Sequence, residues 1–165
     1  MVNMELIGAD ILDLLDNKGA FFLTGDENKL NVMNIGWGMI GYLWSKPMFI
    51  AAIRPSRYTY SFLQEKPEFN VCFTKGALNE QLMIVGTKSG RNIDKRNIAG
   101  ITYIPSKTNS TPVIKEADFT IECKVVYSQP LDPNTLPEEA KKSFYGGFNA
   151  EDVHTMFYAE ITDMY

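Results

Sequence analysis

The sequence predicts a mainly β protein, an antiparallel barrel with a few peripheral helices, built as one domain over residues 1–165. Three observations lead there. Short segments with alternating or two-faced apolar patterning outnumber helical ones. The helical segments are brief and do not alternate with strands as a doubly wound sheet requires. A chain of 165 residues, 45 % of them apolar, can close a core of its own without disulfides or metals.

The elements follow in order. Ile7, Ile11, Leu14 and Leu15 share one helical face, and Asn17-Lys18-Gly19 stops the helix, so a helix is expected over Ala9–Asp16. Ala20–Thr24 and Leu30–Gly36 read as a hairpin around the turn residues 25–28. Pro47–Ile53 is apolar on both faces, as a buried strand is. A helix is expected over Tyr58–Glu65, halted before Pro67. Glu68–Phe73 alternates, with Phe69, Val71 and Phe73 against Asn70 and Cys72. A helix over Ala77–Val85, a loop over 86–97, a strand over Phe119–Tyr127, a helix over Pro137–Phe144 and a closing strand over Val153–Ile161 complete the chain. The aromatic stretch Met39–Trp44 fits an interface or a core equally well.

Net charge is −4, which argues against nucleic acid or an anionic membrane as partner. The charge is unevenly spread. Residues 46–110 hold ten bases and four acids, whereas the flanking segments are both acidic. A basic middle third is either a solvated face or the seat of a phosphorylated ligand. Cys123 falls on the apolar side of its strand with Phe119, Ile121, Val125 and Tyr127, the place of a packing residue. No metal-ligand spacing occurs. With no secretion-type leader and no apolar run near the ~20 residues of a membrane helix, the chain reads as cytoplasmic.

Gly36-Trp-Gly-Met-Ile-Gly41 spells a dinucleotide fingerprint but opens no helix, and Ser56 stands where an acid is needed. His154, the sole histidine, has no nucleophile to pair with. Three segments carry more chemistry. Arg54-Pro-Ser-Arg-Tyr-Thr-Tyr60 joins a strand end to a helix start, with two guanidinium forks and two hydroxyls suited to a phosphate, or it is a capped surface turn. Asn31-Val-Met-Asn-Ile-Gly-Trp-Gly38 exposes backbone beside a large flat ring, or packs the core around a bulge. Gly86–Arg96 holds four bases and one acid, a ligand-reaching loop or only a mobile one.

With Ser89-Gly-Arg91, Asp94-Lys95, Ile121-Glu-Cys-Lys124 and the closing strand around His154 and Glu160-Ile161, these segments resemble the flavin reductase-like, FMN-binding split-barrel family, in particular its flavoredoxin branch. They stand in the family's order and span nearly the whole chain. The resemblance implies a six-stranded Greek-key split barrel that binds FMN at a homodimer interface. It implies an oxidoreductase fed by NAD(P)H and passing electrons to a flavin or other acceptor, or else a flavoredoxin-type carrier reduced by a partner protein. By position, Met33, Asn34, Ile35 and Trp37 would line the isoalloxazine ring, and Arg54, Ser56, Arg57 and Thr59 would hold the phosphate. Asn31 and Tyr58 from the same segments, with Ser89, Lys95 and His154, complete the implied cofactor set. Asn34 stands where the family pattern has Thr or Ser; an amide can still donate a hydrogen bond there.

Overall fold

A computed structural model describes residues 9–165. The helical face expected to begin at Ile7 therefore starts outside the described residues. Helix α1 (Ala9–Asn17) buries Ile11, Leu14 and Leu15, and Gly19 follows it at φ +83°, a conformation that favours glycine. The strands are β1 (Ala20–Gly25), β2 (Leu30–Ile35), β3 (Gly38–Leu43), β4 (Lys46–Ile53), β5 (Glu68–Phe73), β6 (Tyr103–Ile104), β7 (Val113–Ile114), β8 (Phe119–Pro130) and β9 (Thr155–Met164). Helices α2 (Tyr58–Glu65), α3 (Asn79–Thr87) and α4 (Glu138–Phe144) lie between them.

Seven strands form one antiparallel sheet in the order β2-β1-β5-β8-β9-β4-β3, one more than the six expected, and β6 with β7 forms a separate pair. The two edge strands of the large sheet, β2 and β3, are consecutive in sequence and joined only by Gly36 and Trp37. So short a link forces the edges together and rolls the sheet into a barrel split at that seam. Ala52 N–H donates to Trp37 O at 3.1 Å and ties the link to β4.

The barrel interior follows from the period-two patterning. Phe22, Phe49, Phe69, Val71, Phe73, Ile121, Cys123, Phe157 and Ala159 form one buried cluster. Phe69 stacks on Phe22 at 4.5 Å and meets Phe49 edge-on at 6.0 Å, a contact across the interior between strands that are not neighbours in the sheet. Each such ring contributes about 1.5–3 kcal/mol by burial. The opposite face of β5 is buried as well, because α3 and the β7 segment cover it in a second cluster around Phe21, Leu23, Cys72 and Val113. Both cysteines are free and buried, and burial pushes both thiols up, Cys72 to about 11.

Two readings of the sequence need correction. Gly38–Leu43 is a strand, whose two glycines mask any alternation; a Cβ at Gly38 would meet the Phe49 ring at 2.7 Å, so the glycine permits that close approach. Tyr127 is exposed rather than on the apolar face with Cys123, because β8 slips register between Val125 and Tyr127. The Gly36–Gly41 run leads into β3 and not into the helix that a dinucleotide fingerprint must open.

Candidate functional site

The site lies along the seam of the split barrel. A cleft of about 290 Å³ is walled by β2, the start of α2, the end of α3 and the loop after it. Its lining includes Arg57, Lys88, Arg91 and Lys95 and, among the described residues, no aspartate or glutamate. The cleft continues past Asn34, Gly86 and Thr87 into a recess that also holds Gly36 and Trp37. A third recess of about 440 Å³ shares Gly36 and Trp37 and is mainly apolar, with Leu15, Met39, Ala52 and Met156 beside Tyr145 and His154. The groove thus runs from a cationic end, past an amide-lined middle, to an apolar and aromatic end.

Lys95 forms the floor of the cationic end. Lys95 is 3 % exposed, yet its ammonium has no carboxylate partner among the described residues. Two of its three N–H groups donate to backbone carbonyls, Val32 O at 2.5 Å and Val85 O at 2.8 Å, which leaves the third for a ligand. Burial, reinforced by the nearby Arg57 guanidinium, pushes Lys95 down to about 8. A buried, unpaired cation is costly in a bare protein and is the kind of group that marks an anion site. Arg57 is exposed at the rim and its side chain makes no hydrogen bond or ion pair among the described residues. Arg91 lies over the Tyr58 ring at 4.9 Å and donates to Ser56 O at 3.2 Å.

Asn31 and Asn34 supply the middle. Asn31 Nδ2 donates to Thr59 Oγ1 at 2.7 Å, and Asn34 Nδ2 to Lys18 O at 3.1 Å. The Oδ1 atoms of both are buried without a partner among the described residues. Such atoms cost about 1–3 kcal/mol each unless a ligand donor meets them. Gly90 passes so close that a Cβ there would sit 2.2 Å from Asn31 Oδ1, and glycine alone permits this approach.

The residues singled out from the sequence do not all converge. Asn31, Met33, Asn34, Ser56, Arg57, Tyr58, Thr59, Ser89 and Lys95 line the cationic cleft. Trp37 and His154 line the apolar end. Ile35 points into the core and is 2 % exposed, so its side chain lines no part of the groove. Arg54 is turned away: Nη1 donates to Asp152 O at 2.9 Å, Nη2 to Phe144 O at 2.8 Å, and its guanidinium lies 5.1 Å from the Tyr145 ring. Ser56 is engaged too, its N–H and Oγ both donating to the Asp152 carboxylate at 3.0 and 2.5 Å. The cationic end therefore rests on Arg57, Lys95 and the 86–91 loop. Sequence reasoning passed over Tyr145 and Asp152, which carry no motif and act only through contacts distant in the chain.

At the apolar end, Trp37 is half-exposed, tilted against His154 at 4.8 Å and edge-on to Phe144 at 4.8 Å. Tyr145 Oη lies 2.6 Å from His154 Nδ1. Burial, then the Arg54 charge, pushes His154 down to about 4, with Asp152 pulling the other way and Arg57 adding the smallest push, so the imidazole is neutral at pH 7.

With this geometry in view, the comparisons are specific. Residues 17–165 match the model of the flavin reductase-like domain. The chain belongs to this family. An uncharacterised protein of Archaeoglobus fulgidus is 30 % identical over 127 residues, 77 % of this chain and 71 % of that one. Among solved structures, flavoredoxin from Methanosarcina acetivorans superposes with a TM-score of 0.69 at 21 % identity, covering 88 % of this chain and 66 % of that one. An FMN-binding protein from Thermus thermophilus gives 0.69 at 18 % identity, covering 88 % and 68 %. At these identities the structures establish the split-barrel fold, and the chain spans about two thirds of their length.

Proposed function

We propose that this member of the flavin reductase-like family binds FMN in the seam groove and works as an oxidoreductase, taking electrons from NAD(P)H and passing them to a second flavin or another acceptor. The observation that carries the reading is the buried Lys95, beside Arg57, in a cleft with four cations and, among the described residues, no carboxylate. A phosphate monoester bears about −1.5 to −2 charges near neutral pH and offers the missing counter-charge. The residues further along suit the rest of the molecule. The side-chain amides of Asn31 and Asn34 line the wall along which a ribityl chain or ring edge would run. Met33 and Trp37 offer apolar and aromatic surface to a planar ring.

FMN, when bound, supplies the hydride and electron chemistry, so the chain's own residues bind, orient and exclude water. Arg57 and the third N–H of Lys95 hold the phosphate end. Neutral His154 gives the apolar end a polar contact without a charge.

A homodimer accompanies this reading. β3 is an edge of the large sheet; Met39, Tyr42 and Leu43 on it and Trp44 in the turn that follows are exposed, and the Trp44 ring lies 6.2 Å from that of the exposed Tyr127. An apolar sheet edge of that kind is a ready pairing surface.

The rival is an electron carrier without a nicotinamide site, a reading suggested by the structural likeness to flavoredoxin. Mixing the flavin-loaded protein anaerobically with NADPH or NADH separates the two. Rapid bleaching of the flavin bands supports the reductase; bands unchanged by both donors but reduced by dithionite support the carrier. Arg57→Ala is expected to weaken FMN about tenfold or more, the scale of one charged hydrogen bond, and to leave riboflavin nearly unaffected. Equal losses for the two ligands in fluorescence titrations would put the phosphate elsewhere.

A further inference from the structure

Tyr145 has no place in the expected cofactor set, yet it makes the one side-chain hydrogen bond to the sole histidine among the described residues. It is 9 % exposed and stands at the end of α4, where the chain turns back toward β9. Arg54 and His154 fix it there. Arg54 lies over its ring, and the same guanidinium grips the carbonyls of Phe144 and Asp152 on either side of it in sequence. Its ring meets the His154 ring edge-on at 5.6 Å. His154 is itself held from behind, its carbonyl accepting from Leu131 N–H at 3.0 Å, and Trp37 covers its other side.

A neutral imidazole has two tautomers, and the partner of one nitrogen decides which is present. The charges acting on this ring are Arg54, Asp152 and Arg57, Asp16 lines the same recess, and Tyr145 is the titratable neighbour in contact. Burial raises the Tyr145 phenol, so it keeps its proton. The Arg54 cation beside that phenol favours electron density on its oxygen and so makes its O–H the better donor. The imidazole nitrogen is the stronger base of the two groups and accepts.

We infer that Tyr145 is a positioning residue for His154: its hydroxyl donates to Nδ1 and fixes the ring as the Nε2–H tautomer, so that the recess beside Trp37 is offered a neutral hydrogen-bond donor suited to a carbonyl oxygen of a planar ligand. The assignment deepens the proposed function, because it gives the apolar end of the groove a defined polarity. It concerns the chain's own state, however, and stands or falls without bound flavin.

The single histidine makes the test direct. The full chain labelled with ¹⁵N-histidine is observed by long-range proton–nitrogen correlation NMR, with and without FMN, across pH 4–9. One Nε2–H tautomer, neutral throughout pH 5–9, is expected in the wild type. Tyr145→Phe keeps the ring packing and removes the donor; a mixture of tautomers and an upward shift of the histidine titration are expected. A wild-type protein in the Nδ1–H form, or a Tyr145→Phe variant with unchanged tautomer and titration, would overturn the assignment. The wild-type measurement decides the tautomer even if the variant folds poorly. Failure of FMN to bind would leave these spectra unchanged, so the two claims fail separately.

Discussion

Lys95→Met is expected to weaken FMN binding about 10- to 150-fold, the span of 1.5–3 kcal/mol for a hydrogen bond to a charged group. Riboflavin, with no phosphate, should change little. The side chain is held at the cleft floor by Val32 O and Val85 O, so its remaining N–H is already in place and binding need not order a flexible lysine. Methionine preserves the apolar stem, which separates loss of charge from loss of packing. The same group predicts opposite trends with pH. Its folded value is pushed below the ordinary 10.5 to about 8 by burial and then by Arg57. Between pH 8 and 10.5 the unfolded chain therefore holds a proton that the ligand-free fold has lost, and this group's contribution to stability rises with pH. FMN affinity should fall over the same window as the cation disappears. Isothermal titrations at pH 7 and pH 9.5, beside thermal melts of ligand-free protein, check both signs. Parallel trends would contradict the placement of an unpaired lysine at the phosphate end.

Glu122→Ala should be the most damaging substitution outside the groove. Its carboxylate is fully buried and accepts four hydrogen bonds: from Lys107 N–H at 2.8 Å, Thr108 N–H at 2.7 Å, Thr108 Oγ1 at 2.6 Å and Tyr165 Oη at 2.7 Å. These bonds pin the 105–110 loop and Tyr165 to β8. Alanine leaves several donors stranded, at about 1–3 kcal/mol for each one that cannot reach water. A net loss on the order of 3 kcal/mol is a large share of the ~5–15 kcal/mol that holds a domain together. For a chain of this size it lowers the melting temperature by about 6–12 °C. Circular dichroism melts measure it, and a shift under about 2 °C would mean the loop is held by other contacts.

Local signals in the sequence account for much of the fold. The Phe69, Val71 and Phe73 alternation marks the inner face of β5, and Pro67 stops α2 two residues before it. Strand β3 escaped because its glycines interrupt the pattern and its tip, Trp44-Ser45, turns through positive φ without the usual glycine or asparagine. The groove was legible as three segments but not as an assembly. Arg54 and Ser56 have the chemistry of phosphate donors, and only the fold reveals that Asp152, nearly a hundred residues later, engages both. Lys95 reads as one base in a basic loop. Its burial depends on where β2 and α3 place the Val32 and Val85 carbonyls. Long-range pairings of this kind have no local signature, which is why Tyr145 was also missed.

The most direct test of the account is the visible absorption spectrum of the purified protein, followed by heat release and mass identification of any chromophore, and by FMN titration if the protein is colourless. Flavin bands with FMN in the released fraction, or quenching of added FMN fluorescence at one equivalent per chain, is the predicted result. A colourless protein that leaves added FMN fluorescence unquenched would contradict it, and the cation-lined seam would then belong to some other phosphorylated ligand.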